Sequence, residues 1–138
     1  MIDLSFVLAG KATFTVSNPT GEHYTYKVRR KKATPSGELY FISMLTGPDN
    51  TNDYTYMGIL DRGNHAHITK ASRYLDSSKP VRVFNWAMDV ITGKRKLPDG
   101  YAIRHAGRCG RCGRLLTTPE SITSGYGPEC IKLIAGGN

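Results

Sequence analysis

Apolar and polar residues alternate with a period of two through the first two-thirds of the chain. In "KATFTVSN", Phe14 and Val16 share one face, with Thr13, Thr15 and Ser17 on the other. "NPTGE" is a turn, because Pro presets one φ angle and Gly accepts a positive one. Alternation resumes in "EHYTYKVRR", with Tyr24, Tyr26 and Val28 on one face, so the two runs predict a hairpin. "LYFISML" and "YTYMGIL" read as further strands, separated by the polar loop "TGPDNTND". The second puts Tyr54, Tyr56 and Gly58 on one face and Thr55, Met57 and Ile59 on the other. "DRGN" turns into a short return strand, "HAHIT". The period then changes. Phe84, Ala87, Met88 and Ile91 fall at i, i+3, i+4 and i+7, a helical stripe that Ser78 can cap and Gly93 can stop. "YAIRHAG" reads as a strand, "TTPES" as a helix start and "GPECIKLIAGG" as a short terminal helix. The expected fold is α+β: a mostly antiparallel sheet of about five strands with one main helix, followed by a cysteine-bearing module. The boundary is expected near residue 100, with a β-rich α+β domain over 1–100 and a metal module over 101–138.

Length and charge narrow the function. With 138 residues the chain suits one domain, with at most a small appendage. The N-terminus carries Asp3 where a signal peptide needs positive charge, and no apolar run approaches a membrane span. The expectation is a cytoplasmic protein with no membrane partner. The net charge is +8. Twelve of the 19 basic residues fall in two zones. Lys27, Arg29, Arg30, Lys31 and Lys32 form the first, and Lys94–Lys96 with Arg104, Arg108, Arg111 and Arg114 form the second. Clustering of this kind favours a polyanion such as DNA or RNA as partner.

The three cysteines are an odd count, unsuited to a disulfide framework in a cytoplasmic chain. Cys109 and Cys112 form a C-x-x-C pair, and Cys130 follows at zinc-module distance. Two residues between thiolates close a turn that aims both sulfurs at one ion, and Gly110 and Gly113 ease that turn. If Pro128 opens the last helix, Cys130 lies in its first turn, where free N–H groups favour a thiolate. A two-ligand knuckle joined to a helix start is a treble-clef-like layout. A structural zinc site takes four ligands. His105, three residues ahead of the knuckle, is the candidate for the fourth in a Cys3His site, with an aspartate or a water as alternatives. His23, His65 and His67 read as ordinary surface or half-buried residues.

"GRCGRCGRLLTTPESITSGYGPEC" resembles a zinc-knuckle domain of unknown function common in phage and bacterial accessory proteins. The motif positions are Cys109, Cys112, Gly113, Arg114, Leu116, Pro119, Ser121, Gly125, Gly127, Pro128 and Cys130. The resemblance covers the tail, and the β-rich front is similar to that of small phage-type proteins carrying it. It implies metal binding and a phage-type origin, hence the host cytoplasm as location, but no particular activity.

No nucleophile–base set, P-loop or dinucleotide fingerprint is present, and the chain lacks the H-x-E arrangement of zinc deaminases. The expectation is a non-enzymatic protein. Two partner classes stand. Nucleic acid would be held by Arg108, Arg111, Arg114 and the block at 27–32, with bases stacked on Tyr24, Tyr26, Tyr54 and Tyr56. Against this, the tyrosines serve as core if their face packs on the helix. The other class is a host protein, for example of a defence system, bound as by an inhibitor through the loops "TGPDNTND" and "ATPSGE". Oligomeric state and the identity of the target lie beyond the sequence.

Overall fold

The alternation of the first hairpin becomes a strand register. In this computed structural model, which describes residues 1–31 and 37–135, β1 (Lys11–Ser17) pairs antiparallel with β2 (His23–Arg30). Phe14 lies opposite Tyr26, and Val16 opposite Tyr24. The turn between them is held by Asn18, whose Oδ1 accepts from the N–H groups of Thr20 and Glu22. Strands β3 (Tyr40–Leu45), β4 (Tyr54–Leu60), β5 (Ala66–His67) and β6 (Ala102–His105) complete a six-stranded sheet ordered β5-β4-β3-β2-β1-β6. All its pairings are antiparallel. Lys32 and most of the "ATPSGE" loop lie outside the described residues.

One face of the sheet is covered by helix α2 (Lys79–Ile91), as its apolar stripe predicts. Val81, Phe84, Ala87, Met88 and Val90 are buried. The Phe84 ring packs edge-on to Tyr26 at 5.2 Å and lies 6.2 Å from Phe14. The Tyr26 hydroxyl, deep in this core, donates to the Pro80 carbonyl at 2.7 Å. Ser78 stands at the N-cap, but its hydroxyl donates backward to the Leu75 carbonyl at 2.6 Å and leaves the helix N–H groups uncapped.

Among the described residues no helix covers the other face, and a bulge decides which side chains of β4 reach it. Ile42 pairs with Gly58 and Ser43 with Tyr56, so Met57 is the extra residue. Met57 is fully buried. Beyond it the faces exchange: Gly58 turns to the core side with Ile42, and Ile59 lies opposite Phe41 on the open side. The strict alternation expected for "YTYMGIL" therefore holds only up to Met57.

A short helix unpredicted from the sequence, α1 (Leu4–Val7), starts the chain, capped by Asp3, whose carboxylate accepts from the Phe6 N–H at 2.9 Å. This bond, together with one from Ser5, holds the Asp3 carboxyl below the ordinary carboxylate range. Phe6 is buried against the cysteine segment, in one core that runs from the sheet through Cys109, Leu116, Tyr126 and Cys130. The boundary placed near residue 100 falls just ahead of β6, which pairs with β1 and carries the chain from the sheet into that segment.

Candidate metal centre and the groove beside it

After β6 the chain turns at Gly107, whose φ is +80°. It then runs through a tight knuckle closed by a bridge between Arg108 and Leu115. The Gly113 N–H donates to the Cys109 carbonyl at 2.9 Å, and the Cys109 N–H to the Arg114 carbonyl at 2.8 Å. Helix α3 (Pro119–Ser124) follows, capped by Thr118. The left-handed Gly125 ends it and leads to α4 (Pro128–Ala135), which puts Cys130 in its first turn.

The sulfurs of Cys109, Cys112 and Cys130 lie within 4.8 Å of one another. Three thiolates bound at about 2.3 Å to one tetrahedral ion stand about 3.8 Å apart, so the set fits a shared metal with small rotamer adjustments. Cys109 and Cys130 are buried and Cys112 is exposed. Burial pushes the Cys109 thiol up, but the backbone N–H groups of Gly127, Cys112 and Arg111 outweigh it and bring the thiol down to about 7. These are the donors that a metal-bound sulfur accepts from, and the knuckle already aims them. Burial pushes the Cys130 thiol up, and the Arg111 guanidinium, 3.6 Å from its sulfur, opposes that.

His105 does not join the sulfurs. Its register opposite Phe14 turns the ring to the Phe6 side, with centroids 6.1 Å apart. Nδ1 accepts from the Gly107 N–H at 3.0 Å, and Nε2 bonds to the Ile122 carbonyl. Both ring nitrogens are engaged away from the sulfurs, and the cluster that the structure brings together is the three cysteines. Among the described residues no histidine or carboxylate adds a fourth donor to the cluster. His65 instead bonds Asp89 on α2 at 2.7 Å, and His23 and His67 are exposed.

Beside the knuckle, the open sheet face holds a groove of about 260 Å³, lined by Lys11, Lys27, Arg29, Arg108, Asn50 and Thr51, with Cys112 and Gly113 at its edge. The β3–β4 loop closes one side, where Arg108 donates to the Thr51 hydroxyl at 3.4 Å. A neighbouring hollow shares Lys27 and Arg29 and adds Phe41, Ser43 and Tyr56. Among the described residues no acid lines either of them. Partial burial depresses the Lys27 ammonium, and the positive charges of Arg108, Arg29 and Lys11 depress it further.

The sequence-derived binding residues thus divide. Lys27, Arg29 and Arg108 line the groove. Tyr54 lies under the Lys27 ammonium, 4.1 Å from the ring centroid, and Tyr56 lies edge-on to Phe41 at 5.9 Å. Lys31 stands 5.4 Å from the Phe41 ring. Arg30 instead pairs with Glu38 at 3.6 Å, Arg111 turns to Cys130, and Arg114 is exposed. Tyr26 belongs to the core, and Tyr24 shares its face. Lys11, Asn50 and Thr51 were missed. Lys11 has the same parity as Thr13 and Thr15, which was the available signal; the loop residues had none.

A β-sheet scaffold carrying a three-cysteine centre able to hold a metal ion is the class this geometry defines. Residues 102–134, from β6 into α4, match the model of a family of unknown function (DUF6011). No curated protein and no solved structure matches the chain.

Proposed function

We propose that the chain is a non-enzymatic, cytoplasmic nucleic-acid-binding protein, of the phage-type accessory class its tail motif implies, with a zinc ion held by the three cysteines and a water and fixing the knuckle. The observation that carries the reading is the convergence of Lys11, Lys27, Arg29 and Arg108 on one groove without a lining carboxylate among the described residues. Four like charges at close range repel one another and disfavour folding, and a polyanion relieves that repulsion. The half-buried rings of Phe41 and Tyr56 next to the groove offer stacking surface, which suits a single strand with unstacked bases. Two thiolates from a tight N–H-donating knuckle and a third from the first turn of α4 are donors suited to zinc. The ion's part is to fix the backbone that presents Arg108 to the groove.

The test is binding of labelled single-stranded DNA, duplex DNA and RNA across a salt series. Wild type is compared with Lys27→Ala/Arg29→Ala/Arg108→Ala at matched metal content and melting temperature. Affinity should fall with salt, and the log–log slope should become shallower by about 2–3 in the triple variant, roughly one phosphate contact per cation removed. Absence of binding at low salt, or an unchanged slope, refutes the reading and redirects the search to the host-protein alternative, beginning with a pull-down.

A further inference from the structure

A second cavity lies on the helix-bearing side of the sheet and plays no part in the reading above. It has a volume of about 450 Å³, and three aromatic side chains stand in its wall among polar and aliphatic ones. Trp86, the chain's single tryptophan, stands on the flank of α2 rather than in the buried stripe. Its ring lies 5.4 Å from that of Tyr101, and Tyr24 of β2 adds a third aromatic wall. Val16 and Val83 contribute apolar lining.

This arrangement is built by the fold. Tyr101 follows Gly100, whose φ is +82°. A methyl group on Gly100 would stand 2.8 Å from the Pro19 ring, so the 98–101 turn packs directly on the β1–β2 turn. The Tyr101 N–H donates to the Pro98 carbonyl at 3.2 Å. The wall is therefore set before any ligand arrives, which limits the entropy cost of binding.

Charge at the cavity is unbalanced. Among the described residues Glu22 is the one acid in the lining, and it is paired with Lys79 at 3.4 Å. Arg82 uses its Nε to donate to the Ser77 carbonyl at 3.1 Å and has no carboxylate partner among the described residues. A planar fork of donors without an anion thus stands beside a slot of ring faces. Rings offer stacking to a flat ligand, and guanidinium matches the geometry of phosphate.

We infer that this cavity binds a nucleoside monophosphate, with the base against Trp86 and Tyr101 and the phosphate on Arg82. The required chemistry is a planar ring bearing an anion, and a hollow of about 450 Å³ falls within the size range of small-molecule sites. The test uses 15N-labelled full-length protein, in which Trp86 supplies the only indole N–H resonance. The protein is titrated with adenosine monophosphate, adenosine and benzoate. The monophosphate should move that resonance to saturation in the submillimolar range. Adenosine should bind about tenfold or more weakly, as should the monophosphate to Arg82→Ala, because each case removes a charge-assisted contact. The Lys27→Ala/Arg29→Ala/Arg108→Ala variant should bind the monophosphate like wild type, which separates this site from the groove. An indole resonance unmoved at millimolar monophosphate overturns the inference. So does equal affinity in Arg82→Ala, or benzoate binding as tightly as the nucleotide.

Discussion

Phe6 and Gly110 allow a sharp test of how the cysteine segment is held. The Phe6 ring is 3% exposed and lies 5.8 Å from the Tyr126 ring. A methyl group on Gly110 would stand 2.6 Å from a Phe6 ring carbon, and one on Gly125 would stand 3.1 Å away. Gly110 is not among the positive-φ residues, so it is required for space rather than for backbone conformation. Gly110→Ala should therefore destabilise the wild-type protein by about 1–3 kcal/mol through overpacking. Phe6→Ala should cost about 3–5 kcal/mol, lowering the melting temperature by about 10–20 °C. In the double variant the new methyl enters the space the ring has left. The cost of Gly110→Ala should vanish there, and alanine's smaller unfolded-state entropy should contribute about 0.4–1 kcal/mol in the other direction. A coupling energy of about 1.4–4 kcal/mol is expected from urea unfolding of the four proteins, each with metal and with chelator. Additivity within about 0.5 kcal/mol would show that Phe6 does not bear on the knuckle, and the account of the shared core would fail.

Three further outcomes follow from contacts described above. Protein purified without chelator should hold about one zinc per chain, and Cys130→Ser should lose most of it and melt like the chelated wild type, because one of three thiolates is gone; stoichiometric zinc in the variant would refute the ligand set. Gly58→Ala should destabilise by about 1–3 kcal/mol or more, since the added methyl would stand 2.4 Å from the His67 carbonyl oxygen and force β4 from β5; denaturant unfolding checks it. Tyr26→Phe should cost about 1 kcal/mol by removing the buried bond to the Pro80 carbonyl without opening a cavity; an unchanged unfolding midpoint would contradict this.

Local periodicity carried far in this chain. The hairpin of β1 and β2, the inward stripe of α2 and the helix start that carries Cys130 were all legible, because each depends on residues within a few positions of one another. The C-x-x-C knuckle was legible for the same reason, its geometry being that of one tight turn. The failures share a different cause. His105 was near enough in sequence to serve the knuckle, but its pairing with Phe14 turned the ring toward Phe6 and engaged both nitrogens. The bulge at Met57 depends on how β4 meets β3, so alternation within β4 could not reveal it.

The groove shows the division most clearly. The sequence by itself determined that the chain is strongly basic, that strands, one main helix and short helices near the cysteines must form, and that three thiols lie at metal-binding spacing. Only the tertiary structure decided that Lys11, Lys27, Arg29 and Arg108, from two strands and the knuckle, would meet under a loop that brings Thr51. Alternation along a strand says which side chains share a face. It does not say which strands are neighbours or what covers them, because those are set by the burial of the opposite face against α2 and by the seating of the knuckle on Phe6.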